Sequence, residues 1–98
     1  MELKAYFVSA KNCGHCDVAL NALDAVHGEK WKPVMEIIDT KHEIAKENKV
    51  LMTPTLLVVD TENENKTIAV VSGSNKLDAT FWSQFFTFVN SKSDTSPL

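Results

Sequence analysis

Chemistry in this chain concentrates in Asn12-Cys13-Gly14-His15-Cys16, which holds both of its cysteines. Two thiols three positions apart on a first helical turn bring their Cα atoms near the about 5.5 Å a disulfide prefers. A disulfide so local closes a very small loop and constrains the unfolded chain little, so its purpose is chemical rather than structural. The pair could also be two core cysteines or half of a zinc site. A structural zinc site needs four ligands, commonly two such pairs, and no second pair exists here. Cys-x-x-Cys beside a strand–helix–strand pattern reads as thiol–disulfide redox chemistry. At a helix N-terminus the macrodipole and free N–H groups stabilise a thiolate. Cys13, at the end of the helix, is then the attacking nucleophile. Cys16, one turn in, resolves the mixed disulfide by attacking Cys13. Gly14 leaves the approach to Cys13 uncrowded. A histidine can be protonated near neutral pH, and as a cation His15 would favour the Cys13 thiolate. That stabilises the dithiol and moves the reduction potential upward.

The flanking pattern supplies the elements that must hold this turn. Leu3 to Val8 is an apolar run rich in strand formers, read as a mostly buried strand. Cys16, Ala19, Leu20, Leu23, Val26 and His27 recur at helical spacing, which predicts a helix over 14–27 ending at Gly28. Val34 to Ile38 predicts a second strand, parallel to the first across a right-handed crossover. Thr40 and Glu43 have the form of a capping box, which predicts a short helix with Thr40 as its N-cap. Leu56 to Val59 and Thr67 to Val71 predict an antiparallel hairpin around the polar 61–66 loop. Leu77, Phe81, Trp82, Phe85, Phe86, Phe88 and Val89 predict a last helix over about 76–90, with an aromatic face suited to covering a sheet. The fold class is therefore α/β: a four-stranded mixed sheet in the order βαβ-α-ββα, flanked by helices. Residues 1–90 form one domain and 91–98 a flexible tail. His27 and His42 are expected at the surface near helix ends, and no metal site is expected.

The 98 residues carry ten Lys, no Arg and thirteen acidic residues, for a net charge of −3. That balance argues against a nucleic-acid surface, which needs clustered basic residues. No apolar run approaches the roughly 20 residues of a membrane span. The N-terminus enters a strand-like segment without a leader pattern, so a reducing cytoplasm is the expected setting.

With the motif and the element order in place, the chain resembles the thioredoxin superfamily. Cys13-Gly14-His15-Cys16 is similar to the motif of protein disulfide isomerase domains. Thr53-Pro54, just before a strand, resembles the superfamily's cis-proline segment. Ser72-Gly73 resembles the glycine turn after its last strand. The resemblance implies that Thr53, Pro54, Ser72 and Gly73 join the cysteines in binding substrate. It also implies dithiol–disulfide exchange on protein or small-molecule disulfides. The size is glutaredoxin-like. The buried acid of thioredoxins falls on Phe7, its lysine partner on Met35, and the Trp before the first cysteine on Asn12. The glutaredoxin lysine falls on Ala10, with Lys11 next to it, and the acidic pair that holds glutathione falls on Asn75-Lys76. A second resemblance, over Asp39 to Leu56, is to the KaiB clock proteins, which act by binding partners and lack the cysteine pair. It implies an alternative, a non-catalytic binding module. The primary expectation is a monomeric oxidoreductase without a tightly bound cofactor. Its partners would be disulfide-containing proteins, and glutathione or a reductase would recycle it.

Overall fold

The structure, a computed structural model, describes residues 2–32 and 35–92. The elements are β1 (Leu3–Ser9), α1 (Gly14–His27), a 3-10 turn (Gly28–Trp31), β2 (Met35–Asp39), α2 (Glu43–Glu47), β3 (Thr55–Asp60), β4 (Lys66–Ser72) and α3 (Ala79–Lys92). They build a four-stranded sheet in the order β2-β1-β3-β4. β1 pairs in parallel with β2 and antiparallel with β3, and β3 pairs antiparallel with β4. This is the mixed sheet that the pattern of apolar runs predicts. Residues 33 and 34, expected to lead into and begin β2, lie outside the described residues, as does the tail from 93.

Each face of the sheet has its own core. Leu3, Ala5 and Phe7 of β1 and Leu56 and Val58 of β3 pack beneath α1 and α3, among Cys16, Ala19, Leu23, Trp82, Phe85 and Phe86. Tyr6 and Val8 of β1 and Leu57 and Val59 of β3 point the other way, against Ala45 of α2. The central strands are thus buried on both faces, which is why they read as continuous apolar runs rather than alternating ones. Trp82 is fully buried and its indole N–H donates to the carbonyl of Ala19 at 3.0 Å, pinning α3 to α1. Gly28 closes α1 at φ 59° and donates to the carbonyl of Asp24, as the expected C-terminal glycine.

Three local expectations need correction. The N-cap of α2 is His42, not Thr40: its Nδ1 accepts from the Ile44 N–H at 3.1 Å. Thr40 is instead used in the turn after β2, where the Asp39 carboxylate accepts from the Lys41 N–H at 2.8 Å and the Asp39 carbonyl accepts from the His42 N–H at 3.2 Å. The last helix begins at Ala79 rather than near 76, because Asp78 caps it by accepting from the Phe81 N–H at 2.9 Å. His27 is not a free surface residue: it is half-buried, with its ring 4.1 Å from that of Phe86 and Nε2 3.3 Å from the Trp82 carbonyl oxygen. His42 is likewise half-buried, at the cap and 5.9 Å from the Tyr6 ring.

Candidate active site

β1 delivers the chain to Asn12, which turns at φ 57°, a conformation Asn tolerates better than most residues. Cys13 follows as the N-cap of α1. Its carbonyl accepts from the Asp17 N–H at 3.2 Å, and its sulfur accepts from the Cys16 N–H at 3.1 Å. The sulfur therefore occupies the place a Ser or Asp oxygen takes at an ordinary N-cap, facing the unpaired amides of the first turn. Cys13 and Cys16 are joined in a disulfide with their Cα atoms 5.2 Å apart. The two sulfurs differ in access. Cys13 is half-buried, whereas Cys16 is 1% exposed and sits in the core with Phe7, Ala19 and Trp82.

The core under Cys16 is apolar. Phe7 and Met35 are both buried in that cluster. Among the described residues the buried polar one is Thr55, so no buried ionisable side chain lies beneath the disulfide.

The loop after α2 meets the disulfide from the side. Thr53 Oγ1 lies 3.5 Å from Cys13 Sγ. The Thr53–Pro54 peptide bond is cis, and Pro54 is buried. The Pro54 carbonyl accepts from the Gly73 N–H at 2.9 Å, so the 53–54 segment is tied to the turn after β4. Ser72 is engaged with Thr55. Its hydroxyl lies 2.9 Å from Thr55 Oγ1, which itself donates to the Met52 carbonyl at 2.7 Å. A hydroxyl has one proton to give, so Ser72 donates to Thr55, and the pair braces the 52–55 segment from behind. Gly73 has φ 99°, a backbone conformation that favours glycine at this turn. Gly14 has no such requirement, since a Cβ there would meet nothing within 4 Å. Any role it has concerns what approaches from outside.

His15 is exposed on the first turn of α1, and its Nδ1 lies 3.2 Å from Ser74 Oγ. Cys13, Thr53, Pro54, Gly73, Ser74 and His15 thus form a ring of contacts around one groove. It has a volume of about 280 Å³ and is lined by His15, Met52, Thr53, Pro54, Gly73, Ser74 and Asn75. Its lining holds no Lys, Asp or Glu. Ser74 and Met52 in the groove, and Thr55 behind it, are residues that sequence reasoning did not single out. Ser74 is 59 residues from its histidine, a distance no local pattern bridges. Thr55 stands in a Thr-Pro-Thr segment, but its serine partner is on another strand. Among the described residues no group of three or more His, Cys, Asp or Glu is placed to hold a metal ion.

No protein-family model and no curated protein matches the sequence. Solved structures do match the fold. The germline-specific thioredoxin Deadhead of Drosophila melanogaster superposes with a TM-score of 0.63 at 16% identity, over 90% of this chain and 81% of that one. Thioredoxin of Trypanosoma brucei brucei gives 0.62 at 19% identity, over 91% and 76%. Thioredoxin of Fasciola hepatica gives 0.60 at 21% identity, over 89% and 80%. With its β2-β1-β3-β4 sheet and a Cys-x-x-Cys disulfide at the start of α1, the chain has the thioredoxin fold.

Proposed function

We propose that the chain is a thiol–disulfide oxidoreductase working through Cys13 and Cys16. The single observation that carries this reading is the asymmetry of the disulfide: one sulfur at the helix end beside a groove, the other buried one turn in. In the reduced protein, the Cys13 thiolate attacks a substrate disulfide, forming a mixed disulfide and releasing one substrate thiolate. The Cys16 thiolate then attacks Cys13 Sγ, releasing the second substrate thiolate and closing the Cys13–Cys16 bond. Two electrons pass from the protein dithiol to the substrate. Thr53 and Pro54 present a backbone edge beside Cys13 for an extended substrate chain, and Met52, which is exposed, offers an apolar contact. The groove lacks Lys, Asp and Glu, which suits a polypeptide disulfide better than the charged termini of glutathione. Glutathione, or a dedicated reductase, serves as the reductant that reopens the bond, in a reducing compartment such as the cytoplasm.

Two variants test the reading. Cys13→Ser loses disulfide reduction, and Cys16→Ser accumulates a mixed disulfide with its substrate. Full reduction activity in Cys13→Ser would rule this reading out.

A further inference from the structure

We propose that Ser74 is a positioning residue for His15, and that through it the turn after β4 sets the potential of the Cys13–Cys16 couple. The inference rests on the oxidoreductase reading above. It starts from a contact that reading does not use. His15 is exposed, and an exposed imidazole on the first turn of a helix has no reason of its own to occupy one place. Here Nδ1 is 3.2 Å from Ser74 Oγ. The serine suits the task because its hydroxyl can donate to a bare Nδ1 or accept from an N–H, so the contact survives a change in the ring's proton count.

Ser74 is itself held on a fixed support. The preceding Gly73 donates to the Pro54 carbonyl at 2.9 Å, and the Gly73 carbonyl accepts from the N–H groups of both Lys76 and Leu77 at 3.1 Å. Leu77 is fully buried, which anchors the turn to the core. Between two contact partners, the loop is the rigid one and the histidine the one being placed. The place is specific. His15 and Ser74 line the same groove as Thr53 and Pro54, and Thr53 Oγ1 touches Cys13 Sγ at 3.5 Å. Ser74 therefore holds the ring on the side of α1 where the attacking sulfur meets its substrate. When the ring carries a proton, its charge is kept where it favours the Cys13 thiolate rather than dispersed into solvent. No Lys, Asp or Glu lines that groove beside it.

The test uses the full chain and four variants: Ser74→Ala, Ser74→Thr, His15→Ala, and His15→Ala with Ser74→Ala. Each is equilibrated in glutathione redox buffers at neutral pH, and the oxidised fraction is read by mass after acid quench. Ser74→Ala is expected to move the equilibrium toward the disulfide by about threefold, equivalent to about 15 mV for this two-electron couple. Ser74→Thr, which keeps the hydroxyl, restores the wild-type value. In the His15→Ala background, Ser74→Ala produces no further shift. An unchanged potential in Ser74→Ala overturns the inference. So does a shift that persists without His15, because Ser74 would then act on the fold and not on the ring. A wild-type chain whose cysteines never equilibrate with glutathione sinks the oxidoreductase reading itself, an outcome distinct from either of these.

Discussion

Residues of the site divide by whether their partner is near in sequence. Cys13 and Cys16 are legible because their spacing alone fixes their geometry, and the structure joins them. His15 is legible as a neighbour of the cysteines, but its contact with Ser74 is not, since nothing local marks a serine 59 residues away. Removing the imidazole removes the ring that Ser74 contacts. His15→Ala is expected to shift the glutathione equilibrium toward the disulfide by about three- to tenfold, and the oxidised fraction at fixed buffer ratio measures this. Thr53 touches the same sulfur from the other side. Replacing it with Ala should leave the circular dichroism spectrum unchanged and slow reduction of a protein disulfide, read as a lower kcat/KM. Phe7 and Met35 stand where a resemblance to thioredoxins would expect a buried acid and its lysine, and both are packed in the core. Phe7→Ala is therefore a packing change. It should destabilise the fold by about 3–5 kcal/mol in urea unfolding, as for other buried aromatic truncations.

Elements were readable where one physical cause dominated. β1 and β3 are buried on both faces and appear as unbroken apolar runs, whereas β4, at the sheet edge, leaves Ile68 and Val70 exposed. α1 is bounded by a capping cysteine and a terminal glycine, both visible in sequence. Helix starts were less legible where two signals competed. Leu77 extends the apolar period of α3 backward, yet the helix starts after Asp78, because that carboxylate captures the Phe81 N–H at 2.9 Å. Asp78→Ala should accordingly lower stability by about 1 kcal/mol, measured as a reduced urea midpoint at unchanged slope. For α2 the capping-box pattern points to Thr40, but the chain turns there on Asp39, and His42 caps the helix instead. At the β1–β2 edge, Lys4 Nζ lies 2.9 Å from Glu36 Oε1. This hydrogen bond holds the Glu36 carboxyl below its ordinary pKa and the Lys4 ammonium above its own. The Glu36 contribution is present above the unfolded carboxyl pKa and is lost as pH falls through the folded one. The Lys4 contribution is present below the unfolded ammonium pKa and is lost as pH rises through the folded one. Both groups are well exposed and screened, so a Lys4→Ala, Glu36→Ala cycle at neutral pH should return a coupling under about 1 kcal/mol.

Across the whole molecule, the fold and the redox site are coupled only lightly. The disulfide spans a sequence separation of 3, and two separate cores hold the sheet without it. Chain entropy for so short a loop amounts to roughly 2 kcal/mol at most, so the reduced protein should stay folded. A bond that can open without unfolding its scaffold is what disulfide exchange requires. The three-layer arrangement was legible from the order of apolar runs. The groove was not, because it is assembled from the first turn of α1 at His15 and two separate loops, around residues 52–54 and 73–75. The central claim, that Cys13 and Cys16 form a working redox couple, is tested most directly by equilibrating the chain over a series of glutathione buffers and reading its mass. The account predicts one reversible two-electron transition between disulfide and dithiol, at a potential between about −270 and −180 mV. Cysteines that stay fully reduced across the series, or that oxidise only as separate glutathione adducts, would contradict it.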